Sequence, residues 1–595
     1  MTNNAPWLKS YDNVPHSLDY PDCSMAELVL ETAQKYPDII AYDFFGCKKT
    51  YREFAREIGQ CELGLVASNI RKGDRVTICM PNTPQAIIVF YALNLIGAVA
   101  NMVHPLSAEE ELVGYINDSH SIAVLTLDQF APKLEAILPR TKAKTLILAG
   151  VDDGLKGIKK SLYKLTKGRK ITKRPTAGNI LRYSDLMKRG NAPKAPPQDQ
   201  APKAPSPREL SATLTEGVKP TEQETAGDVA AILYSGGTSG TTKGILLTNL
   251  NFNALAMQTE AAGDCVVPGH KMLAIMPVFH GFGLGVCLHT AFVAGGTALL
   301  IPQFSLGAYV KILKNQKPHY IAGVPTLYEA MLRHPNIRKI DMSQMEGIFS
   351  GGDSLSIELK RKVDALLKEC GSTEQVREGY GLTECVTASC LTPRKFHKEG
   401  SIGIPYPDMY YKIVRQGTQE EVPHGDEGEI TISGPTVMKG YDNNEEETAK
   451  TLQTHPDGRV WLHTGDLGAM DEDGFIYFRQ RIKRMIISSG YSIYPTQLEN
   501  AIESHEKVLI SCIIGIPDPY KMQRIKAFIT LRDNQEATEE IKASIYEHCK
   551  KNIAKYAMPS EFEYRQDLPR TLVGKVAYLE LEKEEVDSLH EGAVS

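Results

Sequence analysis

The amino-terminal part of the chain alternates between apolar residues at helical spacing and short apolar runs. Residues 24–27 and 50–53 each place Ser or Thr three positions before Glu, which is the pattern of a helix capping box. After the second of these, apolar residues recur from Phe54 to Leu65 at intervals of three and four. The pattern therefore predicts two helices that begin within these segments, directly after Ser24 and Thr50.

A predicted strand, residues 75–80, and a predicted helix that starts at Pro84 come next. The helix body, residues 86–96, is apolar nearly all round, so we expect it to be buried. Strand and helix patterns then continue to alternate, which is typical of parallel sheets covered by helices. The sequence therefore predicts an α/β (α+β) fold.

Two long stretches, residues 76–108 and 272–310, contain no Asp, Glu, Lys or Arg. Their length alone would suit a membrane span. Pro81 and Pro84 interrupt the first stretch, and Pro277 and Pro302 interrupt the second. Neither stretch holds about 20 uninterrupted apolar residues, so we interpret both as buried core of the α/β fold.

The chain changes character after Arg481. Shorter elements follow, with strands predicted at residues 507–514 and 526–531 and a helix at residues 539–552. A chain of 595 residues is too long for one core. We therefore predict an amino-terminal domain, residues 1–481, and a small α+β carboxyl-terminal domain, residues 482–595.

Residues 151–175 interrupt the alternation of strands and helices. Nine Lys and Arg residues lie in residues 155–174, with apolar residues between them. One interpretation is a solvated insertion, and the other is a basic amphipathic patch that contacts an anionic membrane surface. Residues 191–208 are rich in Pro, Ala and Lys, and we predict a flexible surface loop over residues 191–221.

The composition, 42% hydrophobic and 23% charged residues, is that of a globular protein. The net charge of −5 provides no general attraction to nucleic acid. Eleven cysteines without a Cys-x-x-Cys pair favour reduced thiols in the cytoplasm over a disulfide framework. The first twenty residues are polar and contain proline, so we expect no signal peptide.

The densest candidate chemistry lies in residues 234–244, directly after a predicted buried strand, residues 229–233. Four glycines and five hydroxyl residues fall within residues 235–244, together with Lys243. Such a segment can wrap a polyphosphate with backbone N–H groups, hydroxyls and one positive charge. The common phosphate loop ends in Gly-Lys-Ser/Thr, whereas this one ends in Thr-Lys-Gly. The candidate phosphate-binding residues are Thr238, Ser239, Gly240, Thr241, Thr242 and Lys243.

A flexible linker is the alternative interpretation of this loop. The strand before it and the apolar residues 245–247 after it argue against a linker. The loop resembles the phosphate-binding signature of the acyl-adenylate-forming superfamily, which includes acyl-CoA synthetases, beetle luciferases and the adenylation domains of peptide synthetases. Further segments match that family in order and cover nearly the whole chain. The resemblance implies a small β-barrel-like part in the large domain and a carboxyl-terminal lid domain that rotates.

Three internal segments carry this resemblance through the large domain. Residues 277–283 resemble the family's aromatic segment beside the carboxylate pocket, where His280 would pack against the substrate. A lone histidine is more often structural, but the neighbouring glycines favour contact with a ligand. Residues 350–353 resemble the turn that faces the adenine, and residues 378–384 resemble the most specific internal motif. The candidate residues in these two segments are Gly351, Gly352, Asp353, Gly379, Tyr380, Gly381, Thr383 and Glu384.

The resemblance implies a role for several of these side chains. Tyr380 would stack on the purine, and Thr383 would hydrogen-bond the α-phosphate. Glu384 would hold Mg²⁺ through its carboxylate, with phosphates supplying further oxygens. Residues 461–468 are the next match, and Asp466 is the candidate for the ribose hydroxyls because a carboxylate can accept two hydrogen bonds from a vicinal diol.

Residues 479–484 resemble the hinge between the two domains. Arg481 matches the arginine that contacts ribose or phosphate, and Lys483 matches the position about which the small domain rotates. The family usually has Gly where Gln480 stands here. Residues 489–495 continue the match into the small domain. Residues 568–575 resemble the closing motif, which ends in the catalytic lysine, Lys575.

The resemblance implies two half-reactions. A carboxylate attacks the α-phosphorus of ATP, giving an acyl-adenylate and pyrophosphate, with Lys575 and Mg²⁺ stabilising the charge. The small domain then rotates about Lys483, and a thiol attacks the acyl carbonyl and expels AMP. The expected cofactors and substrates are ATP, Mg²⁺ and coenzyme A.

Residues 280–285 and 323–326, the expected acid pocket, contain no Lys, Arg, Asp or Glu. An apolar chain or an aromatic acid fits there, whereas the ammonium group of an amino acid would be left unpaired. The overall pattern, including the basic insertion, resembles bacterial medium- and long-chain fatty acyl-CoA synthetases. We therefore predict a fatty acid–CoA ligase, with an aryl-acid–CoA ligase and an acyl-carrier-protein ligase as alternatives.

Two hypotheses from different functional classes also stay open on the sequence. One is a nucleotide- or lipid-binding protein that acts at a membrane without turnover. The presence of Lys575, Glu384 and Asp466 argues against it, because a binding protein does not require a catalytic lysine. The second is luciferase-like oxidation, which the motifs alone do not separate from ligase chemistry. We expect a cytoplasmic protein without a nucleic-acid partner, with residues 155–174 as the segment for any peripheral contact with the inner membrane face.

Overall fold

The computed structural model describes residues 5–155, 157, 160–161, 163, 179–191, 225–235, 242–264, 267–489, 491–518, 520–532, 535–571 and 574–594. The predictions for Thr238, Ser239, Gly240 and Thr241 lie outside the described residues. So do those for most of the basic insertion and of the loop at residues 191–221.

The described helices are distributed along the whole chain. They are α1 (Met25–Lys35), α2 (Tyr51–Ala67), α3 (Pro84–Ile96), α4 (Glu109–Asp118), α5 (Ala131–Ile137), α6 (Tyr183–Arg189), α7 (Asn249–Gly263), α8 (Thr290–Val293), α9 (Leu306–Gln316), α10 (Pro325–Arg333), α11 (Ile357–Glu369), α12 (Glu445–Thr451), α13 (Pro495–Glu503), α14 (Glu539–Asn552) and α15 (Tyr578–Val594). A π-helix, Phe282–His289, leads directly into α8.

The described strands form four sheets. They are β1 (Ile40–Phe44), β2 (Cys47–Thr50), β3 (Arg75–Cys79), β4 (Val99–Met102), β5 (Ala123–Leu127), β6 (Thr145–Ala149), β7 (Ile180–Arg182), β8 (Val229–Ser235), β9 (Lys243–Thr248), β10 (Lys271–Ala274), β11 (Thr297–Leu300), β12 (Tyr320–Gly323), β13 (Gly347–Ser350), β14 (Val376–Tyr380), β15 (Cys390–Leu391), β16 (Ile404–Pro405), β17 (Tyr410–Val414), β18 (Gly428–Ser433), β19 (Gly440–Tyr441), β20 (Leu452–Thr454), β21 (Val460–Met470), β22 (Ile476–Arg481), β23 (Ile486–Ser488), β24 (Tyr491–Ile493), β25 (Val508–Asp518), β26 (Met522–Leu531) and β27 (Glu561–Tyr564).

Two large sheets, both rich in parallel pairs, form the frame of the molecule. One has nine strands in the order β16-β15-β14-β13-β12-β10-β11-β1-β2, and its antiparallel pairs lie at the two edges. The other has eight strands in the order β19-β9-β8-β4-β3-β5-β6-β7, and its antiparallel pairs both involve β9. The prediction of parallel sheets covered by helices is confirmed.

The two predicted capping boxes are present. Ser24 Oγ accepts a hydrogen bond from the Glu27 N–H (3.1 Å), and the Glu27 carboxylate accepts one from the Ser24 N–H (2.9 Å). Thr50 and Glu53 exchange the same pair of hydrogen bonds at the start of α2. These contacts satisfy N–H groups that a helix start leaves without intrahelical partners.

Helix α3 is buried on nearly every side, as its all-round apolar pattern predicts. It begins at Pro84 and ends at Gly97, which adopts a left-handed conformation with φ of 77°. Both uncharged stretches of the sequence lie mainly in the buried core, as we expected. Within the described residues, no helix is both long and apolar enough to span a membrane.

A five-stranded antiparallel sheet, made of β17, β18, β20, β21 and β22, occupies the position of the expected β-barrel-like part. Its last strand ends at Arg481. A short 3₁₀ turn, Ile482–Arg484, leads to the fourth sheet, which begins with β23 at Ile486. The fourth sheet, with α13, α14 and α15, forms the small carboxyl-terminal part around its own apolar core.

The cysteines of the described residues are all free thiols, and most of them are buried. Burial raises the pKa of Cys23 to about 12 and shifts the pKa of Cys61 and Cys512 well above the usual range. The expectation of reduced thiols agrees with this arrangement.

Candidate functional site

A large cavity of 1130 Å³ lies between the large and the small parts of the molecule. The carboxyl ends of β13 and β14 open into it, which is where ligands commonly bind in α/β sheets. Most of the predicted site residues that the structure describes line this cavity. They are Thr242, Lys243, His280, Gly352, Asp353, Gly379, Tyr380, Gly381, Thr383, Glu384, Asp466, Arg481, Lys483 and Lys575. Gly351 lies directly behind its wall, and its N–H donates to the Gly323 carbonyl (3.1 Å).

Tyr380 and Asp466 are joined although they lie 86 positions apart. The Tyr380 hydroxyl donates a hydrogen bond of 2.6 Å to Asp466 Oδ2. Asp466 is 1% exposed, and burial raises the pKa of its carboxyl group. Its other oxygen, Oδ1, has no hydrogen-bond partner among the described residues and lies 3.4 Å from Arg481 Nε. An acceptor of this kind is available to a ligand hydroxyl group.

The ring of Tyr380 packs beside the ring of Phe478, with centroids 5.9 Å apart and planes tilted by 34°. Phe478 comes from β22 and also lines the cavity. Two rings from different sheets therefore offer an aromatic wall on which a purine could stack. Sequence reasoning found Tyr380 and missed Phe478, because a lone aromatic residue in a strand is usually core.

Two glycines allow the backbone to approach closely at this edge. A Cβ atom on Gly381 would lie 2.7 Å from the Ala388 nitrogen, which leaves no room for a side chain. Gly352 has φ of +81°, and a Cβ atom there would lie 3.8 Å from Lys575 Cε. Glycine is therefore required at position 381 by lack of space and favoured at position 352 by the left-handed backbone conformation.

Glu384 lies in a short 3₁₀ turn, Thr383–Cys385, at the end of the loop that follows β14. Its Oε1 accepts a hydrogen bond of 3.0 Å from the Tyr441 hydroxyl, and its backbone carbonyl accepts one from the Met438 N–H (2.8 Å). The carboxylate is held at the cavity wall, with an oxygen-donor chemistry that suits a hard cation.

Lys243 begins β9, and its ammonium group pairs with Glu447 from α12. It also lies over the ring of Tyr441, 4.9 Å from the centroid. The neighbouring Thr242 accepts a hydrogen bond of 3.3 Å from the Tyr115 hydroxyl. The charge of Lys243 therefore reaches the cavity already compensated by a carboxylate.

His280 lies two residues before the π-helix, Phe282–His289, and contacts the cavity. Its Nδ1 accepts a hydrogen bond from the Phe282 N–H (3.2 Å), so any ring proton of the neutral form lies on Nε2. Burial, with a smaller contribution from the Lys575 charge, lowers the pKa of His280 to about 3. The ring is therefore neutral at physiological pH, and its role is packing or hydrogen bonding rather than charge.

Lys575 ends a tight turn in the small part of the molecule. The Thr571 N–H donates to the Lys575 carbonyl (2.7 Å), and Gly574 within the turn has φ of +88°. Burial lowers the pKa of the Lys575 ammonium, and its charged neighbours are Asp353, Asp466 and Arg481. The lysine thus points its charge into the cavity from the small part.

Two contacts hold this turn against helix α10 of the large part. The Thr326 hydroxyl donates to the Gly574 carbonyl (2.8 Å), and Arg570 Nη2 lies 3.2 Å from Glu329 Oε2. Glu329 is buried and also pairs with Arg333 from the same helix. These contacts were not predicted, because they join residues more than 240 positions apart.

The segment between the third and fourth sheets contains Lys483, which is exposed, and Arg484, which pairs with Glu499. Nearby, Glu503 at the end of α13 accepts a hydrogen bond from the Ser511 N–H (2.9 Å) and lies against Ser356 of the large part. Burial raises the pKa of Glu503 to about 8.

Gln480, where the family usually has Gly, is buried in β22 opposite Leu467. Its amide nitrogen and oxygen have no partner among the described residues. The pairing with β21 continues through Gln480, and the register shifts directly beside it, because Leu467 pairs with Gln480 and Gly468 pairs with Phe478.

A hydrogen-bonded row behind Asp466 was also missed from the sequence. Glu429 Oε1 accepts from the Gly465 N–H (2.9 Å), and Glu429 Oε2 contacts His463 Nδ1 (3.0 Å). His463 in turn contacts His455 through the two Nε2 atoms (3.0 Å). This row fixes the turn that carries Asp466. The sequence signal was the His463 position inside the matched segment 461–468.

Comparisons with known proteins show similarity over nearly the whole chain. Residues 29–442 match the family described as AMP-binding enzyme, and residues 497–575 match its C-terminal domain. The long-chain-fatty-acid–CoA ligase of Bacillus subtilis (strain 168) is 33% identical over 603 residues, covering 99% of this chain and 100% of that protein. The protein of the same name from Yersinia pestis is 31% identical, covering 98% of each chain.

Solved structures of lower identity share the fold. ATP-bound MatB from Rhodopseudomonas palustris has a TM-score of 0.77 at 23% identity, covering 94% of this chain and 98% of that chain. The anthranilate CoA ligase AuaEII, in complex with anthranoyl-AMP, has a TM-score of 0.78 at 20% identity, covering 97% and 98%. At these identities the likeness concerns the fold.

Proposed function

The chain belongs to the AMP-binding enzyme family, and from this premise we propose that it is an ATP-dependent ligase that joins a fatty acid to coenzyme A. The observation that carries the proposal is the position of Lys575, which is docked at the edge of the cavity that Tyr380, Glu384 and Asp466 line. The near full-length similarity to long-chain-fatty-acid–CoA ligases supports the choice of acid and acceptor. The enzyme is therefore an acid–thiol ligase.

Nucleotide binding rests on the aromatic wall and on the buried carboxylate. Tyr380 and Phe478 would receive the adenine between the loop after β14 and strand β22. Asp466, whose Oδ1 has no hydrogen-bond partner among the described residues, would accept hydrogen bonds from the ribose. Arg481, beside it, would contact ribose or phosphate. Gly352, Asp353, Gly379 and Gly381 would complete this face, with Gly351 behind it. The proposed phosphate-binding residues are Thr238, Ser239, Gly240, Thr241, Thr242 and Lys243.

Glu384 fits a magnesium ion, because one carboxylate oxygen is held by Tyr441 while the group faces the cavity. Mg²⁺ usually takes one or two protein carboxylates and completes its shell with phosphates and water. When bound, the ion supplies charge compensation for the phosphate groups. Thr383, adjacent in the same turn, would donate to the α-phosphate.

Adenylation would proceed with the small domain docked as observed. The acid carboxylate attacks the α-phosphorus, the bond to pyrophosphate breaks, and negative charge grows on the phosphoryl oxygens. Lys575 supplies a positive charge that is already in place and needs no reorganisation in the transition state. His280, neutral at physiological pH, would pack against the acid and leave its negative charge to Lys575.

Thioester formation requires access for the thiol. We place the domain border between Arg481 and Ile482 and the hinge at Lys483, in the short turn that joins the third and fourth sheets. Rotation there would break the Thr326 and Arg570 contacts and withdraw Lys575, opening the cavity to coenzyme A. The thiol then attacks the acyl carbonyl, the acyl–phosphate bond breaks and AMP leaves.

The proposed acid is a medium- or long-chain fatty acid. Gly285, in the π-helix after His280, packs against apolar side chains, and a Cβ atom there would meet Leu255 and Val386 at 2.6 and 3.0 Å. Residues 280–285 and 323–326 contain no Lys, Arg, Asp or Glu that could pair with an amino or second carboxyl group of the acid. Three of the structural neighbours are named for aryl acids, two at 20% and one at 24% identity, and this supports the aryl alternative only weakly.

We further propose a cytoplasmic location, supported by the free thiols. Contact of residues 155–174 with the inner membrane face remains a prediction from composition.

Acid-dependent ATP–pyrophosphate exchange tests the proposed function. Purified protein would be assayed with saturated acids from acetate to stearate, and with benzoate and cinnamate. Exchange should peak with an acid of eight to eighteen carbons, and addition of coenzyme A should then yield the thioester. A peak with an aryl acid would replace the proposed substrate, a thioester formed only with acyl carrier protein would replace the acceptor, and ATP binding without any exchange would refute a ligase.

A further inference from the structure

Two histidines and a glutamate lie together at the amino ends of three adjacent strands of the nine-stranded sheet. His270 directly precedes β10, His319 precedes β12 and Glu346 precedes β13. Backbone hydrogen bonds continue the sheet through this row, because the His319 N–H donates to Lys271 O (2.9 Å) and the Glu346 N–H to His319 O (2.8 Å). The sheet itself therefore fixes the spacing of the three residues.

The three side chains lie on the same side of this row. His270 Nδ1 and Glu346 Oε2 are 2.8 Å apart, and the rings of His270 and His319 are stacked with centroids 4.1 Å apart and planes 15° from parallel. One ligand atom from each residue lies within 4.8 Å of the other two. It is the one group of three His, Cys, Asp or Glu residues in the described part of the chain that meets this distance.

We propose that His270, His319 and Glu346 form a binding site for a zinc ion, with water as the fourth ligand. Two imidazoles and one carboxylate are a common protein ligand set for zinc. Two ligand atoms at about 2.1 Å from a tetrahedral ion lie about 3.4 Å from each other. The His270–Glu346 separation of 2.8 Å needs to widen slightly, and separations of up to 4.8 Å need to contract by about 1.4 Å at most.

Side-chain freedom permits that contraction. The side chains of His270 and Glu346 are 31% and 35% exposed, so they can move and water can reach the site. Stacked rings direct their in-plane lone pairs along nearly parallel lines, so one imidazole, that of His319, must rotate to bind the same ion. That rotation gives up the hydrogen bond that His319 Nδ1 accepts from the Lys271 N–H (3.1 Å).

The surroundings suit a cation. The Tyr320 hydroxyl donates a hydrogen bond to Glu346 Oε2 and so orients that carboxylate. Residues that hydrogen-bond to metal ligands commonly orient them in this way. The nearby positive charges are compensated, although Arg394 Nη2 also donates to the Glu346 backbone carbonyl (2.9 Å). Lys271 Nζ donates to the Gln316 carbonyl (2.7 Å), and Arg394 pairs with Asp264 (2.9 Å) and Glu374 (2.6 Å).

The site is separate from the reactant cavity. That cavity lies at the carboxyl ends of the same sheet, and four-residue strands such as β12 span about 13 Å at 3.3 Å per residue. A zinc ion here would tie the starts of three strands together without contacting the reactants. Its role would be structural, and its binding does not depend on the ligase proposal.

Zinc binding by the full-length protein tests the proposal. Chelator-treated protein would be titrated calorimetrically with zinc chloride in excess Mg²⁺, which occupies sites that prefer hard oxygen ligands. We expect one zinc per chain, at least tenfold weaker binding in His270→Ala, His319→Gln and Glu346→Gln, and unchanged binding in His455→Ala. His455 is the matched control because it belongs to a second His–His–Glu group, with His463 and Glu429.

Cobalt(II) gives a second readout. The wild-type protein should show the visible absorption of four-coordinate cobalt, and the three variants should lose it. Circular dichroism and adenylation activity in metal-stripped buffer supplemented with Mg²⁺ should stay at the wild-type level in the two glutamine variants, which preserve size and polarity. Wild-type protein that binds no zinc, variants that bind it as tightly as wild type, or loss of binding in His455→Ala would each overturn the proposal.

Discussion

Replacing Lys575 by alanine should separate the two half-reactions. The variant should lose most of its adenylation rate and keep the rate at which supplied acyl-adenylate reacts with coenzyme A. The reason is positional, because Lys575 reaches the cavity only while Thr326 and Arg570 hold its turn against the large domain. Thioester formation is expected to use the rotated arrangement, in which this lysine is withdrawn.

The size of the loss follows from the electrostatics of the cavity. Lys243 and Arg481 pair with Glu447 and Asp466, whereas the Lys575 charge, which lies near Asp353 and Asp466, would face the phosphates of bound ATP. A unit charge about 4 Å from a developing negative charge contributes about 4 kcal/mol at an effective dielectric constant of about 20. Since each 1.36 kcal/mol corresponds to about a factor of ten, adenylation should fall by about 10³.

The assay is ATP–pyrophosphate exchange for the first step and single-turnover thioester formation from acyl-adenylate for the second. Lys450→Ala is a matched control, because Lys450 also lines the cavity but is exposed and pairs with Glu446. It should change exchange less than threefold. Thermal unfolding should confirm an intact fold, since the substitution removes a buried charge rather than a packing contact.

Equal losses in both half-reactions, in a variant that unfolds at the wild-type temperature, would refute the reasoning. So would a fall in exchange of less than about tenfold, because a charge that contributes under about 1.4 kcal/mol is not acting on the phosphates at close range.

Three further predictions concern single contacts. Thr326→Val removes the hydroxyl that donates to the Gly574 carbonyl, a hydrogen bond that contributes about 0.5–1.5 kcal/mol. The variant should slow ATP–pyrophosphate exchange about two- to twelvefold and leave thioester formation unchanged. Equal effects on the two half-reactions would contradict this prediction. Tyr380→Phe removes the hydroxyl that donates a 2.6 Å hydrogen bond to the Asp466 carboxylate. It should lower the free energy of unfolding in guanidinium by about 1.5–3 kcal/mol and raise the KM for ATP. Unchanged values would show that the hydrogen bond is dispensable. Burial raises the pKa of Glu503 to about 8, above an unfolded value near 4.5, so its contribution to stability is complete below pH 4.5 and is lost as pH rises to 8. The free energy of unfolding should therefore fall more between pH 5 and pH 8 in the wild type than in Glu503→Gln. Parallel curves for the two proteins would contradict the shift.

Local features of the fold could be predicted from the sequence because their causes are local. The capping boxes at residues 24–27 and 50–53 need only four consecutive residues, and the burial of α3 needs only its own apolar pattern. The strand before the phosphate loop and the helix Glu539–Asn552 were likewise predicted from short segments. Each of these predictions depends on neighbours that the chain itself supplies.

Contacts between distant segments could not be predicted in this way. The motifs identified Tyr380 and Asp466, but nothing in their spacing shows that the hydroxyl of one donates to the carboxylate of the second. Lys243 was predicted to face phosphate, and its pairing with Glu447, 204 positions away, depends on how α12 packs beside β9. Such pairings depend on tertiary packing, which the spacing of residues along the chain does not reveal.

The protonated, buried thiols make the protein convenient for spectroscopy. Maleimide reagents attack thiolates, and burial has both hidden most of the described thiols and raised the pKa of those such as Cys61. Tyr520 in the small domain is 96% exposed, so a cysteine placed there would react far faster. A second label could be attached at the exposed Phe45 position of the large domain. Fluorescence energy transfer between the two labels would then report, in real time, the change in their distance during the proposed domain rotation.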